Sequence, residues 1–387
     1  MNFVSFSPQF PPNFRNFWIQ LSLLGANVLG LSDASYEELH PDLRSALREY
    51  YRVQNPHNYD ELVRALGYFT HRYGKIDRLE SHNEYWLESD ARLRTDFNIF
   101  GLKSADMAPV KLKSEMKKRF QQAGLAVARG RVCQDLSAAK ALIDEVGFPV
   151  VAKPDNGVGA NQTYKIHSLA ELENFFAIKP PVEYIFEEFI NGAIHTFDGL
   201  VDRDGRIVFS SSLVYNAGVM ELVNERRDFW YYTQREIPAA LDTARRRLVQ
   251  AYGLRERFFH LEFFCTGEDQ YTGLEVNVRP PGGLTVDMWN YANDIDIYRE
   301  YANVVVNNHF DAQFTRPFYC AYISRRWDRA YQYAHEQILE AFPGYIVAHE
   351  PINGIFAPAL GDYGYLARSP ELSDLAEISQ FIHQLAA

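Results

Sequence analysis

Phe258-Phe259-His260-Leu261-Glu262-Phe263-Phe264 and, nine residues on, Leu274-Glu275-Val276-Asn277-Val278-Arg279 decide how this chain folds. The first stretch is mostly apolar and reads as a strand in which one carboxylate stands among core-type residues. The second alternates with a period of two, so Leu274, Val276 and Val278 share one face while an acid, an amide and a guanidinium line the other. Between them Gly267-Glu268-Asp269 supplies turn residues. In a hairpin centred between Glu268 and Asp269, Glu262 and Glu275 are equally distant from the turn and therefore face each other, with Cβ atoms about 5 Å apart. Two like charges so placed destabilise the pair unless a cation lies between them. A magnesium ion meets that need, taking carboxylate and amide oxygens and keeping positions open for phosphate oxygens. Two glutamates edging a solvated face, or neutralised by an arginine, are the plainer alternative. The run of acid, Glu-x-Asn-x-Arg and Pro280-Pro281-Gly282-Gly283 favours the metal, with Glu262, Glu275 and Asn277 as its ligands.

Upstream lie residues suited to the phosphates of such a site. Residues 147–154 read as a buried strand ending in Lys153 and Pro154, followed by the small-residue loop 155–161 with Gly157 and Gly159. A strand, a lysine and such a loop can set an ammonium and several N–H groups around phosphate oxygens. Lys113, within a basic amphipathic helix expected over 111–124, is a second candidate. A solvated helix lysine accounts for it equally well. Residues 184–190 read as a strand carrying Glu187 and Glu188, whose paired acids mean either solvent or a purine edge.

The chain as a whole suits a globular protein with more than one domain. Its 387 residues exceed the usual ceiling for a single core. The composition, 47% hydrophobic and 23% charged, is ordinary for a folded soluble chain. A net charge of −11 argues against a general nucleic-acid binder. Cys133, Cys265 and Cys320 form neither a disulfide framework nor a zinc motif. No apolar run nears the roughly 20 residues of a membrane span, and no signal peptide is read at the N-terminus, so a cytoplasmic protein with no membrane partner is expected. In the first hundred residues strands at 2–7 and 26–31 alternate with helices at 14–24 and 60–73, the pattern of a parallel sheet covered by helices. No Gly-x-Gly-x-x-Gly follows the first strand, which argues against a dinucleotide there. Further on, strands are expected at 126–132, 196–201 and 207–211. Helices are expected at 137–146, capped by Ser137, and at 169–176 and 371–385.

In this order, Lys113, the stretch 147–160 with Lys153, Glu187-Glu188-Phe189-Ile190, Glu262 and Glu275-x-Asn277-x-Arg279 resemble the ATP-grasp superfamily of ligases over residues 105–295. His260-x-Glu262 and Arg279 are most similar to its carboxylate–amine and amino-acid ligase branches. The resemblance implies an α/β fold (α+β in its lid), with a Rossmann-like pre-ATP-grasp domain at 1–105. An ATP-grasp domain would follow at 106–309, with a lid at about 125–190, and an α+β subdomain at 310–387. It implies ATP with Mg²⁺ (or Mn²⁺), Lys113 and Lys153 on the phosphates, Glu187 toward the adenine amine, and the Glu188 and Ile190 backbones on the ring edge. It also implies that Arg279, with Lys153, serves the transferred phosphoryl group. The glutamate that relatives often carry two residues after Gly192 is Ile194 here, which leaves His195 as the candidate ribose contact.

The activity implied is an ADP-forming ligation through an acyl phosphate, with a small-molecule carboxylate and an amine as substrates and no nucleic acid; a homodimer is compatible. Bicarbonate activation on the same fold, as in carbamoyl-phosphate synthetases and biotin carboxylases, and a non-catalytic ATP sensor are the rival readings. Arg226-Arg227, Trp230-Tyr231-Tyr232 and Arg325-Arg326 are candidate substrate contacts, although in a chain with 24 Tyr and 27 Phe core aromatics and structural arginines account for them better.

Overall fold

The computed structural model describes residues 1–157, 162–216 and 228–386. Gly159, Arg226 and Arg227 therefore lie outside the described residues.

The N-terminal region builds a four-stranded parallel sheet in the order Glu49–Arg52, Asn27–Ser32, Asn2–Phe6, Arg78–Glu80. Alternation sends Phe3 and Val28 to one face, against Phe17, Trp18 and Leu21 of the helix Arg15–Leu23. Val4, Phe6, Leu29 and Leu31 go to the other face, against Leu62, Leu66 and Phe69 of the helix Tyr59–Tyr73. The sheet is thus parallel and covered on both faces, as the strand–helix alternation predicts. Its two outer strands escape a reading by periodicity because they are short and rich in Arg, Glu and Tyr.

A ten-stranded mixed sheet forms the middle and the C-terminal part of the molecule. At its heart Ala193–Val201, Arg257–Gly267 and Gln270–Asn277 run antiparallel side by side. Glu262 pairs with Glu275, Leu261 with Val276 and His260 with Asn277, which is the register the symmetric turn predicts. Between that rung and the turn the register shifts twice, once between Glu262 and Phe263 and once between Cys265 and Gly267. Leu274 is the extra residue on one strand and Thr266 on the other, so the two bulges cancel. The left-handed backbone of Asp269 (φ 56°) closes the turn.

A second, antiparallel sheet of four strands, Gly130–Val132, Tyr184–Glu188, Val150–Pro154 and Tyr164–Ile166, carries the helices Leu136–Val146 and Leu169–Ile178. It has its own core, including Leu142, Val150, Leu172, Phe175 and Phe186.

Three local expectations are corrected. The strand expected over 126–132 is two strands in two sheets. Ala126–Val127 runs parallel to Thr272 and Gly273 of the large sheet, and Gly130–Val132 pairs with Glu187–Ile185 of the small one. The helix expected over 111–124 is broken at Leu112, whose extended backbone (ψ 119°) separates Ala108–Lys111 from Lys113–Gln122. The helix Leu136–Val146 is capped by Asp135, which accepts the Ala138 N–H, and not by Ser137.

Near the C-terminus, Tyr231 packs with Phe229 and Tyr322 in a buried aromatic cluster. The Arg325 guanidinium donates to the carbonyls of Ile382 and Tyr333. Both therefore serve packing, the plainer of their two readings. Among the described residues no helix is long and apolar enough to cross a membrane.

Candidate active site

Strand pairing lays a grid of polar side chains on one face of the central sheet. Thr196, Glu262 and Glu275 form one rung across three strands, and Asp198, His260 and Asn277 form the next. Thr196 Oγ1 donates to Asp198 Oδ2 (2.8 Å), His260 Nδ1 lies 2.5 Å from Asp198 Oδ1, and His260 Nε2 lies 3.0 Å from Glu262 Oε1. Both ring nitrogens face carboxylate oxygens, which accept only, so both must donate. Burial opposes that charge, but Asp198 and Glu262 overcome it and push His260 up to about 10.

The lysines reach this grid from above. At the break before Lys113–Gln122, the Ser114 N–H and hydroxyl both donate to the Asp155 carboxylate, and the Lys113 N–H donates to the Asp155 carbonyl. This anchors the helix start on the strand end that carries Lys153. Lys113 is buried, not solvated; its ammonium donates to the Gly157 carbonyl (2.9 Å) and lies 3.5 Å from Glu275 Oε1. Burial raises the Glu275 carboxyl, and the facing Glu262 adds to the rise against the pull of Lys113.

Lys153 projects from Val150–Pro154 to Glu187 Oε2 (2.6 Å), and Lys117 reaches Glu187 Oε1 (2.5 Å) from one turn beyond Lys113. Burial works against the Glu187 charge, but the Lys153 and Lys117 ammoniums outweigh it and hold the carboxyl below its usual range. Glu188 points elsewhere, pairing with Arg129 (2.6 Å), while its N–H donates to the Arg129 carbonyl. The strand stops at Glu188, two residues short of its predicted end. Among the described residues the Ile190 N–H has no backbone partner.

Arg279 closes the far side of the site. Its Nη2 donates to Glu84 Oε2 (2.7 Å) and reaches Asn277 Oδ1 (3.4 Å), and its Nη1 donates to the Pro280 carbonyl. Glu84 lies also 3.8 Å from the Lys111 ammonium. Burial disfavours its charge, and Arg279 and Lys111 reverse this, holding the carboxyl low.

The structure thus brings Lys113, Lys153, Glu187, Glu262, Glu275, Asn277 and Arg279 into one region. It does not bring His195 to the glutamate pair. Strand alternation turns this side chain to the other face from Thr196, where its Nδ1 lies 3.4 Å from Gln234 Nε2 and its ring against Tyr271. Sequence reasoning missed Lys117, Lys111, Glu84 and Asp198. Lys117 was accessible as the residue four after Lys113 on the same helix face. Glu84 carries no local signal.

The oxygen set of Glu262, Glu275 and Asn277 suits a hard cation such as Mg²⁺, whose remaining positions phosphate oxygens would fill. Among the described residues no three His, Cys, Asp or Glu side chains form a group that could hold a metal without such help.

Residues 146–287, which hold the rungs of the grid together with Lys153, Glu187 and Arg279, match the family pattern described as the ATP-grasp domain. Over that stretch the chain is similar to an ATP-grasp domain. Among characterised relatives, the L-arginine-specific L-amino acid ligase of Bacillus subtilis is 24% identical over 254 residues. That stretch is 61% of this chain and 61% of the ligase, so the chain spans about three fifths of that relative's length. Among solved structures, the L-amino acid ligase from Bacillus licheniformis superposes with a TM-score of 0.76 at 14% identity, covering 98% of this chain and 96% of that one. The biotin carboxylase domain of the Hydrogenobacter thermophilus 2-oxoglutarate carboxylase, solved with MgADP and bicarbonate, gives a TM-score of 0.71 at 14% identity, over 95% of this chain and 86% of that domain. The fold shared with these two structures therefore extends across nearly the whole molecule.

Proposed function

We propose that this protein is an ADP-forming ligase that joins a small-molecule carboxylate to an amine, of amino-acid type, through an acyl phosphate. The observation that carries the reading is the opposed pair Glu262–Glu275, with Asn277 ending the same strand, Arg279 two residues beyond it and Lys113 against Glu275. Similarity to amino-acid ligases supports this choice of substrate class.

In this reading residues 1–105, 106–309 and 310–387 are the three domains, and the small antiparallel sheet within 125–190 is the lid. Glu262, Glu275 and Asn277 would hold Mg²⁺, which when bound draws charge off the β- and γ-phosphate oxygens; Mn²⁺ would take the same oxygens. Lys113 and Lys153 neutralise the phosphates. Glu187 turns to the adenine amine, and the Glu188 and Ile190 backbones take the ring edge; His195, on the other face of its strand beside Gln234, is given no part. A substrate carboxylate oxygen attacks the γ-phosphorus and ADP leaves, a step of positioning and charge stabilisation that needs no covalent residue. Arg279 then steadies the acyl phosphate while the amine nitrogen attacks the acyl carbon and phosphate departs. Closure of the small sheet would keep water from the intermediate.

The test is ADP and phosphate release against a panel of amino-acid pairs, with bicarbonate as a separate arm, for the wild type and Glu275→Ala. Release that depends on both a carboxylate and an amine, and that Glu275→Ala abolishes, supports the ligase. Undiminished release from Glu275→Ala overturns the site, and release driven by bicarbonate alone overturns the substrate class.

A further inference from the structure

The grid holds one group to which the proposed reaction gives no task. Asp198 and His260 are buried and occupy the rung next to Glu262 and Glu275. We propose that His260 is a positioning residue, backed by Asp198, that fixes the Glu262 carboxylate for its part in holding the cation. The inference rests on the metal reading of the previous section.

The geometry gives His260 little freedom. Its two ring nitrogens contact carboxylate oxygens on opposite sides, Asp198 Oδ1 at 2.5 Å and Glu262 Oε1 at 3.0 Å, so the ring cannot rotate without losing one of them. Asp198 is itself held. Thr196 Oγ1 donates to its second oxygen, the Leu213 N–H donates to Thr196 Oγ1, and the Ser212 hydroxyl donates to the Thr196 carbonyl. A chain of hydrogen bonds therefore runs from the buried Thr196 and Asp198 of the strand Ala193–Val201 to one oxygen of Glu262. Glu275, opposite, has the Lys113 ammonium as its neighbour, and among the described residues its carboxylate accepts no hydrogen bond comparable to that from His260. The two glutamates are thus unequal: Glu262 has one oxygen committed to the protein, whereas the nearest charge to Glu275 comes from the phosphate-binding side. Groups of this kind orient metal ligands elsewhere, and their loss typically weakens metal affinity about 10–100-fold.

The experiment measures ADP binding by calorimetry with magnesium and, separately, with EDTA, alongside thermal melting, for the wild type, His260→Leu, His260→Gln and Asp198→Asn. His260→Leu is expected to weaken magnesium-dependent ADP binding about tenfold or more while leaving metal-free ADP binding within about twofold. His260→Gln, whose amide can still donate to Glu262, should recover part of the loss, and Asp198→Asn should fall between. Mn²⁺ binding followed by electron paramagnetic resonance gives the same ordering without nucleotide. Equal losses with and without metal, or the full loss of His260→Leu in a Glu262→Ala background, would overturn the positioning role. If His260→Leu does not fold, Asp198→Asn and His260→Gln carry the same test, and wild-type affinity in both overturns it. A wild type whose ADP binding ignores magnesium overturns the metal reading itself, an outcome separate from the rest.

Discussion

Glu84 and Arg279, 195 residues apart in the chain, meet at the far side of the candidate site with Oε2 and Nη2 2.7 Å from each other. The short 3-10 helix Glu84–Trp86, which follows the last strand of the N-terminal sheet, delivers the carboxylate, and the segment leaving the central hairpin delivers the guanidinium. This contact is one place where the N-terminal region enters the chemistry proposed for the site.

Replacing Glu84 by Ala leaves Arg279 and Lys111 without their shared buried partner. A loss of about 3 kcal/mol in folding stability is expected, since an uncompensated buried charge is the costly outcome. Glu84→Gln keeps an acceptor and should lose much less stability, yet it should slow ADP release because Arg279 is held less firmly. Urea unfolding and turnover measured on both variants check the two halves separately.

Glu187 is shared by Lys153 and Lys117, and the three charges should be strongly non-additive. Glu187→Gln strands two buried ammoniums, and a cost of about 3 kcal/mol is expected. Adding Lys117→Met to that variant should return at least about 1 kcal/mol, the coupling expected of contacting groups. A double-mutant cycle with additive energies would show that Lys117 is not part of the cluster.

His82 gives a pH signature independent of catalysis. Buried against Trp18, it is pushed by burial down to about 3, so the folded protein holds it neutral. The unfolded chain binds that proton near pH 6.5. Stability from this residue is thus complete above about pH 6.5 and falls as the pH drops toward 3. His82→Phe should therefore gain about 1.4 kcal/mol on the wild type when the pH is lowered from about 7.5 to about 5.5. The positive φ of 55° at this position strains the variant equally at both pH values and leaves that difference intact. Urea midpoints at the two pH values measure it.

Two glycines should respond to alanine in opposite directions. Gly67, inside the helix Tyr59–Tyr73, has nothing within 4 Å of an added Cβ, and Gly67→Ala should stabilise by about 0.5–1 kcal/mol. At Gly273 a Cβ would come within 2.3 Å of the buried Phe120 ring, and Gly273→Ala should cost about 1–3 kcal/mol. Thermal melts of the pair test both.

What was legible in the sequence was whatever periodicity or a turn could carry. The hairpin was readable because Val276 and Val278 alternate with Glu275 and Asn277, and the N-terminal sheet because its long helices have clear apolar faces. Lys113 was readable as a candidate but not as a buried one, because its burial depends on the break at Leu112 and on Asp155, which lies on another element. Glu84 could not be read at all, since what makes it matter is an arginine supplied by a distant strand. The division of 126–132 between two sheets was hidden for a similar reason: both halves are extended, and only their partners differ.

The two cancelling bulges have a consequence for insertions and deletions in this hairpin. Removing Thr266 alone, or Leu274 alone, would take out the unpaired residue of one bulge and leave the flanking pairs, Glu262–Glu275 among them, opposite each other. A one-residue slip sends every side chain of a strand to its other face. Neither loss causes such a slip at Glu262 and Glu275, so the segment 263–274 is expected to tolerate either of these single deletions with the two glutamates kept on one face.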